Sequence, residues 1–398
     1  MKKSWLMLLL AAALGLAQAQ TVTIGLTVSK TGKYNVESVN QLNGIKLWQD
    51  WVNGQGGVQV GGKRYKVELK YYDDESKAQR VQQLYSRLIS QDKVDFLISP
   101  YSSGLTAKAA IISEQYGKVM VATGAASDSI FKLGYENVFQ IYTPASRYLT
   151  STVDMLKAAD PALKKIAVVY EDSKFAKAVA TAARDYAQKA GFDVVLFEGY
   201  PPSTTDFGPI INKIKASGAG ALVGGGHYAD GATFARQLFE QKAPLKMIAL
   251  LVAPASDEFA QLGEAALGVA APSQWEPLVK YSPDFGPTPQ EFTEMYRKAY
   301  GKTPAYRAAG GFAAGLVLQK AMMEAGSLDG AKVRAALDKM DLTLFFGGIR
   351  FSTDPASHGL QLGHEMVQIQ WQKKGGQMVK EIVWPLAAKT ADLIYPIR

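Results

Sequence analysis

From Thr21 onward, short apolar runs rich in β-branched residues alternate with segments of helical periodicity, and the alternation begins again at Lys165. "TVTIGLTV" has the length and composition of a buried strand. Leu42, Ile45, Trp48 and Val52 then recur at helix spacing, and "NGQGG" supplies glycines that end the helix. "YKVELKYYDD", "VDFLISP" and "KVMVATG" are the next three strands, with a helix marked by Val81, Leu84, Tyr85 and Leu88 between the first two. The second array reads "KIAVVYED", a helix over 175–190, "DVVLFEGYP", and a helical face of Phe207, Ile210, Ile211 and Ile214. "GALVGGGH", a helix over 230–241 and "KMIALLVAP" complete it. The runs are almost continuously apolar, as parallel strands buried on both faces must be. Two such arrays predict an α/β chain of two doubly wound open sheets with right-handed crossovers, a repetition of architecture and not of sequence.

After Trp275 the pattern changes. A Pro-rich stretch, "EPLVKYSPDFGPTP", precedes helical patterns at 290–300, 305–325 and 329–340, and these are followed by "FGGIRFS". The period-two segment "HEMVQIQWQKKGGQMVKEIVWP" carries a hairpin turn at "KKGG". Late helices followed by a late hairpin imply that the chain returns to the first lobe and then to the second. The expected division is 21–142 with 276–346 in one lobe and 143–275 with 347–398 in the other, joined by a hinge of three crossings.

Residues 1–19 read as an export signal: Lys2 and Lys3, an apolar run from Trp5 to Leu16, then the small residues Ala17 and Ala19. Cleavage after Ala19 is expected, because the apolar run is shorter than the roughly 20 residues that span a bilayer. Cysteine is absent, which removes disulfides, thiolate ligands and the lipid-carrying cysteine of a tethered protein. A soluble periplasmic monomer is the expectation. Without Lys2 and Lys3 the formal charge falls from +8 to +6, and no run of four or more basic residues is interleaved with aromatics. Nucleic-acid binding is therefore not expected.

The sequence contains no G-x-S-x-G elbow, H-E-x-x-H motif or phosphate-binding Walker loop, and only three histidines, His227, His358 and His364. No metal or cofactor is expected. Asp73 and Asp74 sit at a strand end, where carboxylates capping the next helix explain them better than acid–base chemistry does. A serine hydrolase would need Ser102 or Ser103 to meet His227, and no spacing favours that. Binding chemistry is better represented. "PYSSG" and "ATGAASDS" follow consecutive strands at their carboxyl ends, where open α/β sheets hold ligands. Small side chains expose backbone amides there, and Ser102, Ser103 and Ser127 add hydroxyls, a set suited to a carboxylate. N-capping by the same serines is the competing reading.

The opening strand followed by "SKTGKYNVESVNQLNGIKLWQDWVNGQGG", then "KYYDDESKAQRVQQLYSRLISQDKVDFLISPYSSGLT", "AAS", "EFTEMYRKAYGKTPAYRAAGGFAAGLVLQKAMMEAGS" and "FGGIRFS", resembles the substrate-binding proteins of branched-chain-amino-acid-type ABC importers. That resemblance implies the type I periplasmic-binding-protein fold and no enzymatic activity. It also implies a small amino acid, acid or amide held between closing lobes, and an ABC permease as partner. It implies a ligand carboxylate on Ser102 or Ser103, with Ala125, Ala126 and Ser127 supplying amides and a hydroxyl. Phe175 and either His227 or Tyr228 would close from the second lobe, and Tyr34 and Glu37 would line the mouth. One departure stands out: amino-acid binders carry an acid where this chain reads "LLVAPAS". Asp230 or Glu37 replaces it, or the ligand lacks an α-ammonium. Trp275 is either a cleft wall or hinge packing. A ligand-sensing module for a regulator is the alternative function.

Overall fold

The computed structural model describes residues 20–397, and the export segment read at 1–19 lies outside the described residues. The chain runs β1 (Gln20–Val28), α1 (Asn35–Gly54), β2 (Val58–Val60), β3 (Lys63–Asp73), α2 (Ala78–Ser90), β4 (Phe96–Ile98), α3 (Ser103–Gln115), β5 (Met120–Ala122) and β6 (Val138–Gln140). These strands form a six-stranded sheet, ordered β2-β3-β1-β4-β5-β6 and parallel except for the β2–β3 hairpin. Next come α4 (Thr150–Ala159), β7 (Lys165–Glu171), α5 (Lys174–Lys189), β8 (Asp193–Tyr200) and α6 (Gly208–Ser217). β9 (Ala221–Gly225), α7 (Tyr228–Glu240), β10 (Met247–Leu250) and β11 (Ala270–Ser273) complete the second array.

Three helices follow, α8 (Pro289–Tyr300), α9 (Tyr306–Ala325) and α10 (Gly330–Asp338), then the small hairpin β12 (Asp341–Leu344) and β13 (Gly347–Arg350). β14 (Val367–Lys374) and β15 (Gln377–Trp384) end the list of strands. They add antiparallel to the second sheet, which is seven-stranded in the order β15-β14-β11-β10-β9-β7-β8. The fold is mixed α/β with two predominantly parallel sheets. β4, β5, β9 and β10 are buried along their whole length, which is why they read as unbroken apolar runs. The sequence reading missed β2, β6, β11, β12, α3 and α4: these strands have three or four residues and, unlike β4 and β5, are not unbroken apolar runs, and the two helices carry weak apolar stripes.

The returning helices attach to the first sheet's layer through close backbone contact. α9 is buried on nearly every side and crosses α1 where both carry glycine. A methyl group at Gly44 would collide with the Ala308 carbonyl, one at Gly311 with the Gln41 carbonyl, and one at Gly315 with the Trp48 indole. Trp48 Nε1 donates to Gln319 Oε1 at 3.0 Å, adding a hydrogen bond to the crossing.

The chain passes between the sheets after β6, after β11 and after β13, and one polar cluster ties the three passages together. The Thr143 amide donates to Gln274 Oε1 at 2.9 Å, and Thr143 Oγ1 lies 2.7 Å from His364 Nδ1. His364 Nε2 lies 3.0 Å from the Phe346 carbonyl. A carbonyl only accepts, so Nε2 carries the proton and Nδ1 accepts from Thr143. Burial, with Arg147 nearby, lowers the His364 pKa to about 4. Trp275 belongs to this hinge: its ring packs on Phe292 and Phe345, and Nε1 donates to the Phe345 carbonyl at 3.0 Å.

Two outcomes are expected. Gly44→Ala should destabilise the protein by about 1–3 kcal/mol through overpacking. Gly54→Ala, which meets nothing within 4 Å, should be neutral or stabilising; urea denaturation compares the two. For His364 the unfolded chain binds a proton near pH 6.5 and the folded chain only near 4, so stability falls as pH is lowered across that window. The loss attributable to this residue should approach about 3 kcal/mol at pH 4. His364→Gln should flatten the profile; an unchanged slope would show that other groups set it.

Candidate functional site

In each sheet the strand order reverses once, between β1 and β4 in the first and between β7 and β9 in the second. Loops at the carboxyl ends of strands diverge at such a switch point and leave a crevice. The loops after β1 and β4 bring Tyr34 and Tyr101–Ser102, and the end of β7 and the loop after β9 bring Glu171 and His227. These four segments face one another across the cleft.

Each loop is anchored by local polar bonds. Asp74 accepts from Thr27 Oγ1 at 2.7 Å, Ser29 Oγ at 2.5 Å and the Ser76 amide at 2.9 Å, and Asp73 accepts the Lys30 and Glu75 amides. The two carboxylates therefore fasten the loop after β1 and close their own turn. Their expected capping role falls away, because α2 has Lys77 as its N-cap and no side-chain cap bond.

The two adjacent serines divide their work. Ser103 Oγ accepts the Ala126 amide at 3.0 Å and the Ser127 amide at 3.1 Å, joining the loops after β4 and β5. Those two amides are thereby occupied. Ser102 is the N-cap residue of α3, makes no side-chain cap bond, and lines an enclosed cavity with its side chain facing the Tyr34 hydroxyl. Gly124 also lines it at φ +73°, where a side chain would meet Tyr101 and Gln41.

The space totals about 240 Å³ with its opening to solvent included and is walled by Tyr101, Tyr142, Tyr148, Phe175, His227 and Tyr306, with Ser102, Gly124, Ala126 and Val252 filling the gaps. Only about 10 Å³ of it is open to the centre of a water molecule, so in this conformation the rings fill it almost completely. Edge contacts order the rings: Tyr148 on Phe175 at 5.2 Å and Tyr142 on Tyr306 at 5.8 Å between centroids. Burial pushes the Tyr101, Tyr142 and Tyr148 hydroxyls well above the usual phenol range, so all three stay protonated. The Tyr142 hydroxyl has no protein partner.

Polar contacts bridge the cleft. Tyr101 OH lies 3.0 Å from His227 Nδ1, Lys33 Nζ lies 3.2 Å from Glu171 Oε1, and the Tyr228 amide donates to Glu37 Oε1 at 3.0 Å. Buried Arg307 at the start of α9 donates to Ser256 Oγ at 2.8 Å and to the Val252 carbonyl at 2.9 Å. The Tyr34 ring stands edge-on to His227 at 4.8 Å.

Of the residues expected from the sequence, Ser102, Ala126, Phe175 and His227 line the enclosed cavity. Tyr34 and Glu37 stand behind it, Glu37 buried. Ala125 is buried with its carbonyl accepting from Gln140 Nε2, and Ser127 lines an outer groove and contacts Ser129. Tyr228 is only partly buried and contributes its amide. Asp230 is committed elsewhere: Oδ1 accepts the His227 amide at 2.8 Å and Oδ2 accepts from Tyr200 OH at 2.5 Å, completing the α7 N-terminus. Burial, reinforced by the Glu171 charge, raises its pKa to about 6. Both of its oxygens are thereby bonded within the second sheet's own elements, and it lines the outer space beside His227 instead of the aromatic cavity. Tyr101, Gly124, Tyr142, Tyr148, Val252 and Tyr306 were not among the expected residues because distant segments bring them together; Tyr101 and Gly124 lay beside expected residues, and Val252 lay within "LLVAPAS".

Among the described residues neither serine is hydrogen-bonded to His227, and no group of three or more His, Cys, Asp or Glu is arranged to hold a metal ion. The described helices include none long and apolar enough to cross a membrane.

A periplasmic binding protein family profile matches residues 21–377. The Leu/Ile/Val-binding protein homolog 7 of Brucella suis is 27% identical over 372 residues, covering 89% of this chain and 88% of its own. The branched-chain amino acid transporter substrate binding protein of Streptococcus pneumoniae, solved with isoleucine, superposes with a TM-score of 0.75 at 20% identity, covering 92% of this chain and all (100%) of its own. A solute binding protein of an ABC transporter from Rhodopseudomonas palustris, solved with 3,4-dihydroxybenzoic acid, gives a TM-score of 0.77 at 22% identity over 94% of this chain and 98% of its own. Two facing switch points, three interlobe passages and a profile spanning most of the chain agree: the protein belongs to the periplasmic binding protein family.

Proposed function

We propose that this protein is the solute-binding component of an ABC importer and that its solute is an aromatic carboxylate. The observation that carries the solute class is the enclosed cavity: six aromatic rings, one serine at a helix N-terminus, and no Asp, Glu, Lys or Arg among its lining residues. An α-ammonium enclosed there would touch no carboxylate, since buried Glu37, whose charge reaches Tyr101, stands outside the lining and gives Oε1 to the Tyr228 amide. A flat ring suits facing aromatic walls. Its carboxylate takes the Ser102 hydroxyl and the free amides at the start of α3, where the helix dipole favours negative charge. The stretch "LLVAPAS", which has no acid, contributes Val252 to the lining, and the dihydroxybenzoate-bound Rhodopseudomonas palustris neighbour gives a precedent for this class on the same fold.

In this reading residues 1–19 direct export to the periplasm and are removed after Ala19. The lobes divide near residues 142/143, 275/276 and 346/347, and they close as rigid bodies about the Thr143–Gln274–His364 junction. The closed monomer is the form that the membrane permease recognises, since closure changes the surface that both lobes present together.

In a thermal-shift assay benzoate and 4-hydroxybenzoate should raise Tm, and leucine and isoleucine should not. The reverse pattern overturns the aromatic assignment. Ser102→Ala should weaken benzoate binding about 10–100-fold by calorimetry, the worth of a hydrogen bond to a charged group. Ser103→Ala should instead lower stability by about 1–3 kcal/mol, because it leaves two buried amides unpaired.

A further inference from the structure

His227 lies between two spaces. On one side is the enclosed aromatic cavity. On the other is a second space of about 590 Å³, partly open to solvent, lined by Lys33, Glu171, Asp230, Ser203, Thr204 and Thr205 among others. His227 is the one residue common to the linings of both. Its ring is held from every direction: Tyr101 OH at Nδ1, Glu171 Oε2 3.4 Å from Nε2, Tyr34 edge-on at 4.8 Å and Phe175 at 5.7 Å between centroids. A wall braced from both lobes does not swing aside when they close.

The outer space has the opposite chemistry from the inner one. Glu171 is 1% exposed, and its Oε2 has no hydrogen-bond partner, while Oε1 is taken by Lys33. Its one close polar neighbour across the partition is His227 Nε2 at 3.4 Å, so withdrawing that part of the ring leaves a buried carboxylate oxygen that calls for a donor. Hydroxyls of Ser203, Thr204 and Thr205 line the same space.

We infer that His227 is the specificity-determining partition of the cleft: it limits the solute to the inner cavity and closes off a latent outer subsite that accepts a hydrogen-bond-donating arm, such as an ammonium or amide, on Glu171. The inference rests on the reading of the inner cavity as the solute site. The ring's outer half, which carries Nε2 toward Glu171, forms the partition. Asparagine at this position keeps a polar atom near Nδ1, for Tyr101, and is a favourable N-cap for α7, but has no atom at Nε2. Glutamine reaches the Nε2 position and preserves the wall.

The test compares wild type, His227→Asn and His227→Gln by calorimetry with benzoate, 4-(aminomethyl)benzoate and its 3-isomer. Wild type should prefer benzoate. His227→Asn should shift the preference by about tenfold or more toward an aminomethyl probe, the scale on which pocket walls discriminate. His227→Gln should retain the wild-type ratio. An unchanged ratio in the Asn variant, or an equal shift in the Gln variant, overturns the partition. Failure of benzoate to bind wild type counts against the aromatic-acid reading alone. Crystal structures of the two variants then decide the partition: the spaces should be joined in the Asn variant and separate in the Gln variant, and separate spaces in both overturn it.

Discussion

The hydrogen-bonded junction of Thr143, Gln274 and His364 brings one residue from each interlobe passage to a single buried point. Everything functional in the molecule depends on that convergence. Three separate linkers would let two sheets adopt many relative orientations. Linkers tied side by side at one buried point hold the carboxyl ends of both sheets facing each other across one cleft. The buried neutral imidazole suits this position, since it donates from one nitrogen and accepts at the other without bringing a charge into the hinge.

The switch points then define where the cleft has chemistry. Parallel strands end in loops that diverge only where strand order reverses, so the site is assembled from the segments flanking β1, β4, β7 and β9. The aromatic interior and the polar rim are separate layers. Rings enclose the small inner space, while Lys33, Glu37, Glu171 and Asp230 pair with each other or with backbone around it. Charged groups so arranged brace the lobes without entering the inner space, where each would have to be desolvated.

Much of the fold was legible because strand and helix periodicities are local. The two arrays, the late helices and the "KKGG" hairpin all stand where the chain predicted them, the hairpin with Gly375 and Gly376 at positive φ. β2 and β6 escaped, since three residues show no period and, unlike β4 and β5, neither is an unbroken apolar run. The site was half legible. Loops at strand ends are recognisable by their small residues, so Ser102 and Ala126 stood out, whereas Phe175 and His227 were expected in the cleft only from the family resemblance. Ser103 was indistinguishable from Ser102 until α3 set their side chains in different directions, one toward the cavity and one onto the Ala126 and Ser127 amides.

The amino-acid sequence by itself determined the α/β architecture, the loops at strand ends and the lack of common catalytic motifs, because each of these is encoded within a dozen or so neighbouring residues. Only the tertiary structure decided that Tyr101, Tyr142, Tyr148, Phe175 and Tyr306 share one wall, that Asp230 serves its own helix, and that His227 stands between an apolar and a polar space. The reason is physical. Those relationships join residues on opposite lobes, far apart in the chain, and they exist only when a hinge made from three distant segments brings two independently formed sheets face to face.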